Sequence, residues 1–184
     1  DAIHAGEVEA LVERAGGNAL FLEELVRAHA EGRTELPGSV LAMVQARLEA
    51  LPPEARRVLR AASVFGRSLL SKGLYPLLAG VEPDEVNRTI EALVTREFLV
   101  RRERSVAFRN ALVRDAAYSS LTESDRTLGH RLAGEWLAAH GDEKPVILAE
   151  HFENGGIAAR AVPWWSRAAR DALERRQQRR RLVT

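Results

Sequence analysis

Apolar residues recur at helical spacing along most of the chain. In the clearest case, four apolar residues occupy positions i, i+4, i+7 and i+8, which lie on one face of a helix. These are Val86, Ile90, Leu93 and Val94. Similar spacing between glycine and proline breaks predicts about ten helices in all. Only residues 98–108 differ, because two apolar triplets flank a polar run there and predict a β-hairpin. The predicted fold class is mostly α with one small hairpin.

The order of predicted elements in residues 53–109 is that of a winged helix. A helix is followed by a short helix over about 72–79, a turn at 80–83 and the amphipathic helix of 83–95. The hairpin comes next, so a β-ribbon follows a helix-turn-helix. In this arrangement, the helix of 83–95 occupies the position of a DNA recognition helix.

The charge of this helix bears on its function. A helix that approaches phosphates usually carries net positive charge. The segment from Asp84 to Glu97 instead contains four acids and two bases, a net charge of −2. This favours a winged helix that packs against protein. The hairpin keeps the alternative of DNA binding open, because it holds Arg101, Arg102 and Arg104 against the single acid Glu103.

Composition excludes several classes of protein. The chain has 184 residues, of which 46% are apolar and 29% charged, as is typical of folded globular proteins. It contains no cysteine, which excludes disulfides, zinc ribbons and iron–sulfur clusters. A net charge of +1 gives no overall attraction to nucleic acid or anionic lipid. The longest apolar run, Val40 to Val44, is too short for a membrane span, and no secretory signal opens the sequence. We therefore expect a cytoplasmic location without membrane contact.

Three segments, in order, resemble one protein family. Residues 17–25 read Gly-Asn-Ala-Leu-Phe-Leu-Glu-Glu-Leu and are similar to the GN(P/A)xFLEEL motif of bacterial signal-transduction ATPases of the STAND class. Residues 36–65 resemble the stretch that enters the winged helix of these proteins, and residues 108–118 resemble the segment after the wing. In this family a P-loop ATPase domain is followed by a helical lid, a winged helix and tetratricopeptide repeats.

The resemblance implies three regions: a helical lid over residues 1–35, a winged-helix domain over 36–121, and a helical segment over 122–184 that leads into the first tetratricopeptide-like repeat. It implies ATP or ADP with magnesium as the ligand of the full-length protein. Its partners would be an upstream P-loop domain and downstream repeats, with a further protein partner on the helical repeats. The sequence contains no G-x-x-x-x-G-K-[ST] run, so we expect no catalysis and no cofactor for this region alone.

Four residues are candidates for nucleotide contact by this resemblance. Gly17, Asn18 and Ala19 match the turn that lies against the adenine in related switches, and Asn110 matches the position of a nucleotide-sensing histidine. Free backbone N–H groups at such a helix start suit base or phosphate contacts. Asn18 and Asn110 have an alternative role as helix N-caps, which leaves both interpretations open.

No catalytic or metal site is predicted. The five histidines form no HExxH motif and no tight ligand pair, and we expect His140 and His151 on a loop and a helix surface. No G-x-S-x-G nucleophile motif occurs either.

Two patterns describe the helix predicted after residue 121. Thr122 and Asp125 match a capping box at its start. The apolar stripe of Leu128, Leu132 and Trp136 is spaced i, i+4, i+8, which predicts the face that this helix buries.

The last two predicted helices, about 146–153 and 157–175, resemble one tetratricopeptide pair. One such unit cannot bury its apolar face alone. Trp164 and Trp165 are therefore expected to pack against Trp136 or a following repeat, with an exposed peptide-binding face as the alternative. The basic run of 175–181 is interpreted as a solvated helix end, although such runs also bind nucleic acid or acidic partners.

Overall fold

The computed structural model describes residues 11–12, 15, 19–30, 40–140 and 144–181. The chain divides into two compact units, Asp1–Pro52 and Pro53–Thr184. This division reflects packing within each unit, whereas the predicted domain boundaries after residues 35 and 121 follow from the family resemblance. Among the described helices, none is both long enough and apolar enough to cross a membrane.

The first unit contains two described helices, α1 (Ala19–Ala30) and α2 (Val40–Glu49). Phe21 and Leu25 lie one turn apart on α1 and are both buried. Its described core joins residues of both helices with residues further upstream. These are Leu11, Ala15, Phe21, Leu25 and Met43, with Leu22 packed against them.

The second unit begins with the elements of a winged helix. In chain order these are α3 (Pro53–Val64), β1 (Ser68–Leu69), two 3₁₀ turns (Ser71–Leu74 and Pro76–Leu78), α4 (Pro83–Thr95), β2 (Leu99–Arg101) and β3 (Val106–Phe108). The strands form an antiparallel sheet in the order β1–β3–β2. The predicted mostly α fold with a small hairpin is confirmed, and so is the position of the hairpin.

Two details of the winged helix differ from the prediction. Strand β1 was not predicted, because two residues are too few to show an alternating pattern; it pairs Ser68 with Ala107 and Leu69 with Val106. The predicted helix over 72–79 is two 3₁₀ turns instead. Pro76 explains this difference, because a proline inside a helix lacks the N–H donor and clashes with the preceding turn.

The amphipathic helix α4 buries the predicted face. Val86, Ile90 and Leu93 are fully buried in the core of the winged helix. The helix ends with Glu97 at φ 60°, a left-handed conformation that turns the chain toward β2. The Phe98 N–H donates to the Leu93 carbonyl at 3.0 Å, which closes this helix end. The wing is thereby fixed relative to the exposed face of α4.

Four helices complete the second unit: α5 (Ala111–Ser119), α6 (Glu123–His140), α7 (Pro145–Asn154) and α8 (Ala158–Arg181). One half of the predicted capping box at the start of α6 is formed, and the Asp125 carboxylate bonds the Thr122 hydroxyl in place of the Thr122 backbone N–H. The Asp125 backbone N–H donates to Thr122 Oγ1 at 3.1 Å, and this hydroxyl donates to Asp125 Oδ2 at 2.8 Å. Pairing of these groups satisfies a backbone donor that a helix start would otherwise leave free.

The predicted apolar stripe of α6 is correct only in part: Trp136 packs against the core and Leu132 is half-buried, but Leu128 is not covered. Leu128 is 53% exposed, and the buried face carries Gly129, His130, Ala133, Gly134 and Leu137. The two glycines explain the difference, since a Cβ added at Gly129 would lie 3.0 Å from a methyl of Val64. The small residues let α3 and α7 approach α6 closely. The spacing of large apolar residues does not indicate a buried face that is built from glycine and alanine.

The core at the end of the second unit joins α6, α7 and α8. It consists of Leu137, Leu148, Phe152 and Ala161, with Phe65, Trp136, Ala138, Ile147, Ile157 and Trp164 packed against them. The turn between α7 and α8 lies directly on α6, because a Cβ at Gly155 would lie 2.8 Å from the Arg131 backbone nitrogen. Only glycine fits this contact without displacement of backbone.

Candidate functional site

Two of the four candidate nucleotide residues, Ala19 and Asn110, are among the residues that the structure describes. Gly17 and Asn18 lie outside the described residues. Ala19 is the first residue of α1 and is exposed, in the first compact unit. Asn110 belongs to the second unit and caps α5: its Oδ1 accepts a hydrogen bond from the Val113 N–H at 2.9 Å. The alternative role of Asn110 as a helix cap is thus present, and nucleotide contact by these residues stays a prediction.

The cap uses only one end of the Asn110 side chain. Its carbonyl oxygen accepts from Val113, while its amide group makes no hydrogen bond with the described part of the chain. An asparagine amide carries two donors. The residue is half-buried, so these donors remain accessible to a ligand or a neighbouring domain.

The exposed face of α4 is acidic. Four carboxylates at its start and along its length are exposed: Glu82, Asp84, Glu85 and Glu91. Arg88 is the exposed basic side chain between them. Acids in the first turn also stabilise the helix, because its N-terminus carries partial positive charge. The face that would enter a DNA groove in a DNA reader therefore presents negative charge.

Ion pairs join the wing to α4 and its end. The Arg101 guanidinium of β2 pairs with the Glu91 carboxylate of α4. Arg109, just after β3, pairs with Glu97 at 3.3 Å. Both pairs are largely exposed, so each adds little stability. Their effect is on the surface potential, since carboxylates of the same unit already neutralise two of the basic groups around the hairpin.

Two exposed arginines in the turn of the wing favour the alternative of DNA binding. Arg102 and Arg104 are exposed in the turn, which the Arg102 N–H closes by donating to the Ser105 carbonyl at 2.8 Å. Neither side chain pairs with an acid of the described residues. Such a turn can reach a phosphate backbone, although phosphate contacts alone carry no sequence information.

A hydrogen-bonded chain of three polar side chains, half-buried at Tyr118 and buried at the two histidines, links α5, α6 and α7. Tyr118 Oη lies 2.8 Å from His130 Nε2, and His130 Nδ1 lies 3.0 Å from His151 Nδ1. The His130 and His151 rings are buried, with centroids 5.0 Å apart, and the His151 ring contacts Phe65. The three hydrogen-bonded side chains tie the last helix of the winged helix to the helical hairpin that follows it.

The spacing of the two Nδ1 atoms fixes the protonation of the pair. One proton between them gives a hydrogen bond, whereas a proton on each would set two N–H donors against each other. Burial, with a smaller contribution from the neighbouring His130, lowers the pKa of His151 to about 4. Burial also lowers the pKa of His130, with a smaller effect from the Arg114 guanidinium. The pair is therefore neutral at physiological pH.

Sequence reasoning missed this histidine pair. His151 was expected on a helix surface, which is wrong, because it is buried on α7. The signal was present: His151 lies between Leu148 and Phe152 on the same helical face, at i+3 from the first. In the part of the chain that the structure describes, no group of three or more ligand side chains could hold a metal ion.

The three tryptophans have different environments. Trp136 packs edge-on against Phe65, with centroids 6.5 Å apart, and stacks on His140 at 4.3 Å. Trp164 packs against the same core as Trp136, and its predicted direct contact with Trp136 stays a prediction. Trp165 is instead 37% exposed. The two adjacent tryptophans therefore split between the core and the surface.

The described elements of the second unit form a winged helix with an acidic helix, α4, in the recognition position. The helices α6 and α7 follow it. A comparison with models of protein families gives no match, and comparisons with curated proteins and with solved structures give none either. A fold does not by itself determine a function. The charges on α4 and the wing and the contacts between the helices are therefore the basis for a functional proposal.

Proposed function

We propose that this chain is a cytoplasmic, non-catalytic regulatory region of a nucleotide-switched signalling ATPase of the STAND class, and that its winged helix packs against protein. The observation that carries the proposal is the acidic exposed face of α4, to which the wing contributes an ion pair between Arg101 and Glu91. The nucleotide state of a P-loop domain would be transmitted through contacts of the winged helix and the helical repeats.

Electrostatics supports protein packing over DNA binding. Association with DNA gains free energy when Lys and Arg replace counterions at the phosphates. With Glu91 paired to Arg101, the exposed face of α4 still offers one arginine, Arg88, against the carboxylates at its start, so its approach to a polyanion is repulsive. For Arg101 to bind a phosphate, that phosphate would have to displace Glu91. A basic or neutral protein surface has no such conflict with α4.

The hydrogen-bonded polar chain suits the proposed transmission. Tyr118 is on the last helix of the winged-helix region, whereas His130 and His151 are on the helices that follow. A hydrogen-bonded link holds one geometry, since each of its groups would lose its partner on displacement. A displacement of the winged helix would therefore carry the α6–α7 pair with it.

A DNA-binding measurement tests the protein-packing part of the proposal. We expect no saturable binding of a short random-sequence duplex at physiological salt, as followed by fluorescence anisotropy. Reversal of Glu82, Asp84 and Glu85 to lysine should create salt-dependent binding, because the charge on the exposed face becomes positive. The control reverses Glu123, Glu150 and Glu153, which are exposed on α6 and α7, and gives a smaller gain.

The same measurement tests the DNA-binding alternative, which the exposed arginines of the wing favour. Saturable micromolar binding by the unchanged protein, abolished by replacement of Arg102 and Arg104 with alanine, would contradict the proposal and establish a winged-helix DNA reader.

Asn110 tests the nucleotide part of the proposal in the protein that carries the P-loop domain. Asn110→Ser keeps a capping oxygen but removes the amide donors. We expect it to weaken ADP affinity, measured by calorimetry, with little change in stability. Asn110→Ala should weaken affinity and also lose about 0.5–2 kcal/mol of stability with the cap. Unchanged ADP affinity in both variants would limit Asn110 to its capping role.

A further inference from the structure

Helix α8 has two apolar faces, and packing covers only one of them. On the first face Ala161 is buried, and Trp164 packs against the core shared with α6 and α7. The second face carries Val162, Trp165 and Leu173, which are 61%, 37% and 58% exposed. At 100° per residue, the second face lies about 120° around the helix from the first. A surface helix that packs on one side only needs a single apolar stripe.

The exposed residues form a continuous stripe. Val162, Trp165, Ala169 and Leu173 follow one another at spacings of three, four and four residues and are all exposed. The stripe spans three helical turns, or about 16 Å at 1.5 Å per residue. Isolated apolar residues on a surface are ordinary, whereas an aligned set of this length marks an interaction surface.

Positive charge borders the stripe. The sequence of α8 contains eight arginines and two acids, which gives a net charge of +6 within a chain whose total is +1. Arg170, Arg175 and Arg176 are exposed and make no ion pair with the described residues. Arg160, at the other end, does pair with Glu135 at 3.1 Å. At 100° per residue, Arg170 and Arg176 each lie about 60° to one side of Leu173 and so border the stripe, whereas Arg175 lies on the side of Trp164.

We propose that this face of α8, defined by Val162, Trp165, Ala169 and Leu173 with its bordering arginines, binds an amphipathic helix with acidic flanks in a partner protein. A helix fits because its apolar ridges pack between residues spaced three and four apart. An extended segment would find no backbone partners on a helix surface for its own N–H and C=O groups. Carboxylates on the flanks would meet the free arginines.

Charge also argues against a second copy of this chain as the occupant. A pairing of two α8 helices would set a charge of +6 against another of the same sign. Like charges at an interface oppose association and exclude the wrong partners. The acidic helix removes this repulsion, whereas self-association leaves it in place.

The test uses two synthetic helical peptides that share one apolar stripe of leucines, one with glutamate and one with lysine at the remaining positions. We expect the glutamate peptide to bind in the micromolar range, more weakly as salt rises, with a blue shift of tryptophan emission as Trp165 is covered. The lysine peptide should bind at least about tenfold more weakly.

Matched variants locate the surface. Leu173→Asp should weaken binding of the glutamate peptide by about tenfold or more, since it places a charge in the stripe. Leu128→Asp is the control: Leu128 is a similarly exposed leucine on α6, and its replacement should leave the affinity unchanged. Both leucines are exposed, so both variants should fold, as circular dichroism would verify.

Three outcomes would overturn the proposal: equal binding of both peptides, wild-type affinity of Leu173→Asp, or a dimer in sedimentation that Leu173→Asp converts to a monomer. The last would assign the stripe to a second copy. None of them bears on DNA or nucleotide binding, so the proposed function is tested separately.

Discussion

Replacement of Phe152 by alanine is expected to lower the free energy of unfolding of the second unit by about 3–5 kcal/mol. Phe152 is fully buried between α6 and α8. On the α6 side, a Cβ added at Gly134 would lie 3.3 Å from the Phe152 ring. On the α8 side, the Arg160 guanidinium lies 4.2 Å from the centroid of this ring. The surrounding helices are in close contact with the ring, so a cavity would remain after its removal.

Urea denaturation followed by tryptophan fluorescence measures this loss. All three tryptophans of the chain lie in the second unit, so their emission reports on its unfolding. Leu128→Ala serves as the control, because an exposed residue outside special contacts changes stability by about 0.5 kcal/mol or less. A loss below about 1 kcal/mol for Phe152→Ala would show that the core shared by α6, α7 and α8 contributes little to the stability of the unit.

Local pattern was sufficient to predict α3, α4 and the hairpin of the winged helix. The stripe on α4 is an intrinsic property of the segment, and Val86, Ile90 and Leu93 are buried as their spacing predicts. Strand β1 could not be predicted in this way. It has two residues and depends on pairing with β3, which lies almost 40 positions away in the sequence. Local sequence pattern contains no information on a partner at that distance.

The surface charges were predictable in part. The acidic character of α4 follows directly from its sequence, as does the basic character of the hairpin. The pairing of Arg101 with Glu91 does not, because it depends on how the Schellman-type turn at Glu97 directs β2 back along α4. This pairing changes the electrostatic argument, since it shows that two opposite charges near the recognition position neutralise each other.

The histidine pair was not predicted, because its partners come from different helices. His130 and His151 are 21 positions apart, and Gly134 allows α7 to approach α6, with an added Cβ lying 3.1 Å from the His151 Cβ. A polar residue on an apolar face reads as a surface residue when its partner is unknown. The apolar neighbours of His151 indicate its burial, but its pairing with His130 depends on tertiary contact between two helices, which local sequence does not contain.

Acid is expected to destabilise the second unit through this pair. The pKa of His151 is about 4 in the folded state against 6.5 for an unperturbed histidine. Above pH 6.5 both states are neutral at this residue. As pH falls from 6.5 to about 4, the unfolded state takes up a proton that the folded state does not, so the free energy of unfolding declines. The loss is about 3 kcal/mol and is complete below pH 4.

Leucine variants separate this effect from the titration of carboxylates. The double variant His130→Leu/His151→Leu removes both buried bases and should lose about 3 kcal/mol less than the unchanged protein between pH 7 and pH 4. At pH 7 its stability should lie within about 1.5 kcal/mol of that of the unchanged protein, because both partners of the His130–His151 bond are replaced together and only the half-buried Tyr118 hydroxyl loses its partner. The measurement is urea denaturation by tryptophan fluorescence at each pH.

The single variant His151→Leu provides the contrasting result. It leaves His130 Nδ1 buried without its partner, and we expect a loss of about 1–3 kcal/mol at pH 7. The Tyr118 hydroxyl still reaches His130 Nε2, so the remaining ring stays in place. If the double variant and the unchanged protein lost stability equally on acidification, the buried pair would not be the cause of the acid sensitivity, and exposed carboxylates would have to account for it.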